Sequence, residues 1–428
     1  MSRSLAACFA GTFTLRFSTG LTGALLGFYL AHLADLGGTN IDAFVVGLMS
    51  AGFYLSELIL ATPFGILSDR LGHHRVMQAG PAFGFAAAIV TGLSRFVATA
   101  AAPLLVPVLT VTRALEGTST AASVPSILGY VAAATAGNEA LRGRSAALFE
   151  AATLGGLGAG FVVAPKLFEA IGTTAFFLNA VVYVVSLLIF RFGVSDPRAD
   201  VVGAAPKEGG WRRYGQLLGN AEVLLLAPTW IAVNAAIGLW FSQSIFQFAR
   251  RNDHFPNQLL HRGFDPTQIT LAAIVIMAIF GAGLFYWGGR FKNLRRSTII
   301  LYGVIGGALV VASCLVINHS EGMPLVLPIA FAAVAAAGLF VLAGATPAAL
   351  GLLADISGRF PDDRGAIMGL YSVFLAIGQI VGSLVGGVAA QMRGIDGLLV
   401  ATLVMLAIAL LPLFRLRSLE HLLGPSDA

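Results

Sequence analysis

Long apolar runs alternate with short polar breaks along the chain, from residue 5 to residue 414. Most runs reach the roughly 20 residues that a helix needs to cross the hydrocarbon core of a bilayer. Because lipid offers the backbone no hydrogen-bond partner, runs of this length predict helices rather than barrel strands. Twelve spans, numbered here in chain order, can be drawn: Leu5–Ala34, Asp42–Ile66, His74–Leu93, Pro103–Ala134, Ser145–Glu169, Thr174–Phe192, Ala221–Phe248, Thr267–Gly288, Thr298–Ile317, Pro324–Ala354, Ala366–Met392 and Gly397–Phe414.

The second half of the chain repeats markers of the first at a nearly constant spacing. The matched pairs are Arg70 with Arg290, Arg75 with Arg295, Pro125 with Pro347, Arg142 with Arg364, Gly156 with Gly378, and Gly160 with Gly382. This repeat predicts two six-helix halves, residues 1–193 and 221–428, joined by a cytoplasmic linker at 194–220 that is rich in Gly, Pro and Ala. An internal duplication of this kind is typical of alternating-access carriers.

Composition supports a membrane protein without a sizeable soluble domain. Hydrophobic residues make up 57% of the chain and charged residues 11%, and the mean hydropathy is +0.84. A soluble domain carries about a quarter charged residues, so most of this surface must face lipid. Cys8 and Cys314 both lie in apolar runs, which predicts no disulfide, metal or cofactor site.

Two classes of function are excluded by the residues present. No phosphate-binding Walker loop and no nucleophile constellation is found, so we do not expect an enzyme. The formal charge of +5 is spread over loops and forms no basic domain, so no nucleic-acid partner is expected. Basic residues in the loops on the side of both termini outnumber those on the other side, which predicts a multi-pass cell-membrane protein with both termini in the cytoplasm.

The polar break at Gly65–Arg75 reads GILSDRLGHHR. It resembles the G-x-L-x-D-R-x-G-R-R signature of the major facilitator superfamily, and RALEGTSTAASVP in span 4 is similar to the R-x-x-x-G motif of its proton-coupled exporters. In span 5, where those exporters carry G-x-x-x-G-P, Phe161 follows Gly160 and the proline is displaced to Pro165. The resemblance implies an all-α fold of twelve transmembrane helices in two pseudo-symmetric halves, acting by alternating access.

In that family the polar signature forms a charge relay that locks the outward-facing state. Carried over to this chain, the resemblance implies a cytoplasmic gate formed by Asp69, Arg70, Gly72, Arg75, Arg290 and Arg295. The alternative is a topology signal followed by a turn. In the second copy Gly289 replaces the acid, so we expect an asymmetric gate.

Five charged residues lie within the spans, all in the first half: Arg16, Glu57, Arg113, Glu116 and Glu150. Each is costly in a bilayer unless it is paired or hydrated. Arg16 and Glu57 lie at similar depths on adjacent antiparallel spans, and Arg113 and Glu116 share a helix face. One interpretation is that these are structural pairs. The other is that a carboxylate exchanges protons with Arg16 or Arg113 responding, with Glu57 the first choice, then Glu150 and Glu116.

The second half offers amides and aromatic residues instead of charges. We expect a substrate cavity lined by Asn234, Trp240, Gln243, Gln247, Tyr371 and Gln379. A cavity charged on one side and apolar on the other suits an amphipathic or lipid-like small molecule better than a sugar.

Together these features predict a monomeric secondary active transporter in the lipid bilayer, a proton-coupled exporter of amphipathic or hydrophobic small molecules or lipids. One alternative is a uniporter or importer of organic anions, with Arg16 and Arg113 as the ligand clamp. Another is a non-transporting membrane receptor or assembly factor on the same fold.

Overall fold

The protein is described here by a computed structural model that covers residues 2–36, 41–135, 138–195, 221–290, 294–359 and 364–422. Within these ranges every regular element is helical, apart from one antiparallel bridge between Arg251 and Arg262. The chain divides into two compact units. Unit 1 comprises Met1–Ala205 with Phe264–Ala273, and unit 2 comprises Pro206–Gly263 with Ile274–Ala428.

The described helices of unit 1 are α1 (Arg3–Leu36), α2 (Ala43–Leu71), α3 (His73–Val76), α4 (Ala79–Ala100), α5 (Leu105–Ala134), α6 (Glu139–Ile171) and α7 (Ala175–Leu188). Side chains cap two of them, because Asp42 accepts from Val45 N at the start of α2 and Asn138 accepts from Leu141 N at the start of α6. Helix α2 ends at Gly72, whose φ of 94° lies in a region that residues with a Cβ avoid. The glycine of the GILSDRLGHHR break is therefore required by the turn.

The described helices of unit 2 are α8 (Ala221–Ala249), α9 (Pro266–Gly288), α10 (Arg296–Asn318), α11 (Val326–Leu342), α12 (Ala345–Arg359) and α13 (Arg364–Leu422). The first residues of α9, to Ala273, belong to unit 1. Helix α13 carries a break at Arg393 and Gly394, where the φ of Gly394 is 59°. A buried cluster that includes Trp230, Val304 and Leu413 forms the core between α8, α10 and α13.

Predicted span 10 is interrupted rather than continuous. The indole Nε1 of Trp287 donates to the carbonyl of Phe340 at 3.0 Å. That carbonyl would otherwise accept from Gly344 N, four residues on, which bonds instead to Val341 O at 3.2 Å. The competition from Trp287 accounts for the end of α11 at Leu342 and a new helix from Ala345.

Nine stretches of the described chain are long and apolar enough to cross a membrane. Two of them, Ala147–Gly193 and Ser372–Ser418, have 47 residues each. At about 1.5 Å per residue each would span roughly 70 Å, more than twice the hydrocarbon core. Each contains a positive-φ glycine, Gly172 or Gly394, and so has room for two crossings. The protein is an all-α polytopic membrane protein, and the count of twelve spans stays a prediction.

Glycines allow the same close helix crossing in both units. A Cβ at Gly20 or Gly160 would come within 3.0 Å of backbone atoms of the facing helix, so α1 and α6 interlock. In unit 2, a Cβ at Gly238 or Gly382 would meet backbone atoms of the facing helix at 3.0 Å or less, so α8 and α13 interlock in the same way. Backbone contact of this kind excludes any side chain.

Candidate functional site

The five charged residues predicted within the membrane spans lie on four helices of unit 1. Arg16 is on α1, Glu57 on α2, Arg113 and Glu116 on α5, and Glu150 on α6. We call these five side chains the charged cluster. It holds three carboxylates and two guanidinium groups, so the carboxylates outnumber the cations by one.

Arg113 and Glu116 form a buried ion pair along one face of α5. The side chain of Arg113 is 11% exposed and that of Glu116 is 2% exposed. The guanidinium also lies 4.6 Å from the ring centroid of Phe53 on α2, a cation–π contact. Ser56 donates to Ala114 O at 2.9 Å, which ties α2 to α5 at this level. The pair is therefore held from two helices.

Removing one partner of this pair is expected to destabilise the protein. Glu116→Gln would leave the Arg113 charge buried without a counter-ion, and breaking a buried pair costs about 3 to 5 kcal/mol. We expect the melting temperature of the purified protein to fall clearly. The double variant Arg113→Met with Glu116→Leu should recover most of the loss, because both charges are then absent. A wild-type melting temperature for Glu116→Gln would contradict this assignment.

Arg16 is shared between two carboxylates. Its charge interacts most strongly with Glu57 and next with Glu150. Among the described residues neither carboxylate approaches Arg16 as an ion pair within 4.0 Å, so the predicted Arg16–Glu57 pair is an electrostatic neighbour relation and not a direct contact. A Cβ at Gly156 would lie 2.9 Å from the Cβ of Arg16, which places Arg16 at the α1–α6 crossing.

Two tyrosines lie within electrostatic range of the charged cluster. Tyr54 interacts electrostatically with Glu57, Arg113 and Arg16, and Tyr183 interacts with Glu116 and Arg113. Neither tyrosine was expected from the sequence. Tyr54 precedes Glu57 by three residues, a spacing that shares a helix face and could have identified it.

Helix α7 fixes the position of α1 beside this network. Asn179 donates to Ser18 O at 3.1 Å and to Thr22 Oγ1 at 2.6 Å, and Ser186 donates to Gly11 O at 3.0 Å. All of these groups are buried. A lone asparagine within the apolar span 6 was the sequence signal for this contact, since buried polar groups find partners.

The gate residues of unit 1 are exposed at the end of α2. Asp69, Arg70 and Arg75 all face outward. The described partner of Asp69 is His73, at 3.9 Å, and not an arginine. His73 also shares a 3.1 Å hydrogen bond with Ser68 Oγ. Because Asp69 is largely exposed and the atoms are 3.9 Å apart, this contact contributes little to stability.

The gate residues of unit 2 differ in their surroundings. Arg290 is exposed, and its guanidinium lies 4.9 Å from the ring centroid of Tyr286. Arg295 is half-buried at the N-cap position of α10. No acidic residue occupies the position of Asp69 in this copy, where Gly289 stands.

The residues expected to line a substrate cavity are divided among separate contacts. Asn234 donates to Trp230 O at 2.9 Å, and Trp240 donates to Thr402 Oγ1 at 2.9 Å. Gln247 donates to Gln243 Oε1 at 3.1 Å. Gln379 is buried on α13, and the side chain of Tyr371 lies outside the described part of the chain.

Asn234 occupies the position in unit 2 that Arg16 occupies in unit 1. A Cβ at Gly378 would lie 2.6 Å from the Cβ of Asn234, just as a Cβ at Gly156 would approach the Cβ of Arg16. The duplicated crossing therefore carries a cation in one unit and a neutral amide in the other.

Comparison with known proteins agrees with this architecture. The sequence model described as Major Facilitator Superfamily matches residues 8–328 and 255–426. The chain is 23% identical over 399 residues to the quinolone resistance protein NorA of Staphylococcus aureus (strain MRSA252), covering 90% of each chain.

Solved structures show the same fold. Two crystal structures of the nucleoside transporter NupG superpose with TM-scores of 0.69 and 0.68, the second being that of a mutant. The first is 11% identical to this chain and the match covers 98% of it; the second is 13% identical and the match covers 97%. In both cases the match covers 99% of the NupG chain. With the match of the family model over nearly the whole sequence, these findings show that the chain belongs to the Major Facilitator Superfamily and is a membrane transporter of small molecules, not an enzyme.

Proposed function

We propose that the protein is a proton-coupled exporter of amphipathic small molecules. The observation that carries the proposal is the charged cluster of unit 1, in which three carboxylates share two guanidinium groups. With Glu116 paired to Arg113, Glu57 and Glu150 are left to share Arg16. A second buried carboxylate beside a single cation favours binding of one proton by the pair. Proton uptake and release there would couple transport to a pH gradient.

The similarity to NorA and the residues of unit 2 both support this substrate class. NorA is a quinolone resistance protein, which supports aromatic, amphipathic compounds as cargo. Unit 2 supplies amides and aromatic rings, with Asn234 in the place of Arg16, and these suit an apolar molecule with few polar groups. The proposal includes a monomer in the cell membrane with both termini in the cytoplasm. It keeps the cytoplasmic gate residues expected from the sequence: Asp69, Arg70, Gly72, Arg75, Arg290 and Arg295.

Flux in proteoliposomes tests this proposal. Purified protein would be reconstituted into liposomes, and movement of a fluorescent quinolone would be followed with and without an imposed pH gradient. We expect uphill movement of the quinolone only with the gradient, opposite to the proton flow, and its collapse on adding a protonophore. Equal rates with and without the gradient would refute proton coupling, and absence of any flux would refute this substrate class.

The organic-anion alternative has less support. It needs Arg16 and Arg113 as a two-point clamp, whereas Arg113 is already engaged by Glu116 and the Phe53 ring. An anion would have to displace a buried carboxylate from Arg113, which is costly. Flux of organic anions that is indifferent to pH would favour that alternative over the exporter.

A further inference from the structure

The loop that follows α8 in unit 2 is a compact folded segment. Successive turns bond Phe255 N to Asn252 O at 3.2 Å, Gln258 N to Phe255 O at 3.1 Å, and His261 N to Gln258 O at 3.0 Å. Asn252 N then closes the segment by donating to His261 O at 3.2 Å. We call residues 251–262 the folded loop.

Side chains anchor the folded loop to the helices beneath it. Gln258 donates to Arg393 O at 2.9 Å and accepts from Ile395 N at 2.9 Å, both at the break in α13. Leu260 N donates to Asn318 Oδ1 at 2.9 Å, at the end of α10. Because these bonds hold it in one conformation, the folded loop can form a preorganised wall.

His261 of the folded loop is buried, with 2% of its surface exposed. Its Nε2 lies 2.6 Å from Gln247 Oε1, and Gln247 Nε2 donates to Gln243 Oε1 at 3.1 Å. Since Gln247 presents its oxygen to the ring, Nε2 of His261 carries the hydrogen and donates. The other ring nitrogen, Nδ1, is then an acceptor. This buried Nδ1 has no hydrogen-bond partner among the described residues.

The imidazole of His261 stays neutral near pH 7. Burial, which is the larger cause, and the positive charge of Arg250 together lower the pKa of His261 to about 4, although the negative charge of Asp396 acts in the opposite direction. The lone pair of Nδ1 is therefore available throughout the physiological range. Because a buried acceptor without a partner is destabilising, a donor that reached Nδ1 would be favoured.

A cavity of about 300 Å³ lies against the folded loop. It is lined by Arg251, Asn252, Asp253, Phe255, Pro256, Gln258, His261 and Arg262. Arg251 Nε donates to Asp253 at 3.0 Å, and Arg262 pairs with Glu321. Each of these contacts uses one of the five N–H donors of a guanidinium. The ring of Phe255 stacks on His261 at 5.6 Å between centroids.

We propose that this cavity binds a small hydroxylated carboxylate, with the carboxylate at Arg251 and Arg262 and the hydroxyl donating to His261 Nδ1. Guanidinium groups recognise carboxylates through paired N–H donors. The cavity volume matches the lower end of small-molecule pockets. The residues that line this cavity lie in unit 2, and none of them belongs to the charged cluster of unit 1.

Malate and succinate test this site, because they differ by the one hydroxyl that His261 would accept. Binding would be measured by calorimetry on the purified full-length protein at pH 7.5 and constant ionic strength. We expect malate to bind about tenfold more tightly than succinate, the value of one good hydrogen bond. Equal affinities, or no binding of either acid, would overturn the proposal.

Variants assign the two contacts separately. His261→Gln keeps a group that can reach Gln247 but loses the Nδ1 acceptor. The affinity for malate should therefore fall to that for succinate. Arg251→Gln, at an exposed position, should weaken both acids by about tenfold. Arg95→Gln, at an exposed arginine elsewhere, should change neither. If His261→Gln kept the preference for malate, or Arg251→Gln bound both acids normally, the assignment would fail.

Discussion

Glu57→Gln is expected to abolish transport driven by a pH gradient while leaving downhill exchange of substrate intact. Glutamine resembles a carboxyl group that is permanently protonated, so it can neither release nor take up a proton. Arg16 would retain Glu150 as its counter-ion, and the fold should therefore survive. In proteoliposomes, uphill accumulation of a quinolone should drop to the level of protein-free vesicles. Counterflow between labelled and unlabelled substrate should continue, which shows that the variant is folded.

Two further variants locate the effect within the molecule. Glu150→Gln should reduce gradient-driven transport less than Glu57→Gln, because Arg16 interacts more weakly with Glu150. Glu169→Gln, at an exposed carboxylate paired with Lys166, should transport normally. Full gradient-driven transport by Glu57→Gln would show that Glu57 is not part of the coupling site. If Glu57→Gln and Glu150→Gln both kept full gradient-driven transport, proton coupling by the charged cluster would be refuted.

Gly160→Val is expected to prevent stable folding of unit 1. Even a Cβ at this position would come within 3.0 Å of Phe17 O and Leu21 N, and backbone atoms of α1 cannot move aside without separating the helices. Overpacking of a tight interface costs about 1 to 3 kcal/mol when side chains can adjust, and here backbone is the obstacle. We expect the yield of monodisperse protein in detergent to fall severely, with a lower melting temperature for what remains.

The matched control is a glycine on α1 with open space. Gly23 is exposed, and a Cβ there would meet nothing within 4 Å. Gly23→Ala should fold normally and gain about 0.5 to 1 kcal/mol from reduced chain entropy. If Gly160→Val and Gly23→Ala were recovered with equal yield and melting temperature, the interlocked α1–α6 crossing would be wrong.

Much of the fold could be read from residue patterns because a bilayer permits few solutions. Helices are required wherever an apolar run crosses lipid, so the positions of most helices agree with the predicted spans within a few residues. The interruption between α11 and α12 was not predictable, since it depends on Trp287, which lies more than fifty residues before Phe340 in the chain. Long-range competition for one carbonyl leaves no local sequence signal.

In the candidate site, too, contacts between residues close in sequence were predictable. Arg113 and Glu116 are close because they are three residues apart on one helix, and that spacing was visible in the sequence. The family, too, was recognisable from GILSDRLGHHR and RALEGTSTAASVP. Local spacing and short motifs carry such information because helix geometry fixes which near neighbours meet.

Contacts between helices required the tertiary structure. Sequence depth alone suggested an Arg16–Glu57 pair, whereas the fold brings both Glu57 and Glu150 within electrostatic range of Arg16. Tyr54 lies within electrostatic range of Glu57, Arg16 and Arg113. Of the α8 amides that the spacing predicts to line one cavity, Asn234 bonds within its own helix, whereas Gln247 bonds to Gln243 and to His261 of the folded loop. Helical periodicity gives the face on which a residue lies, but the neighbour on that face is set by how the helices cross.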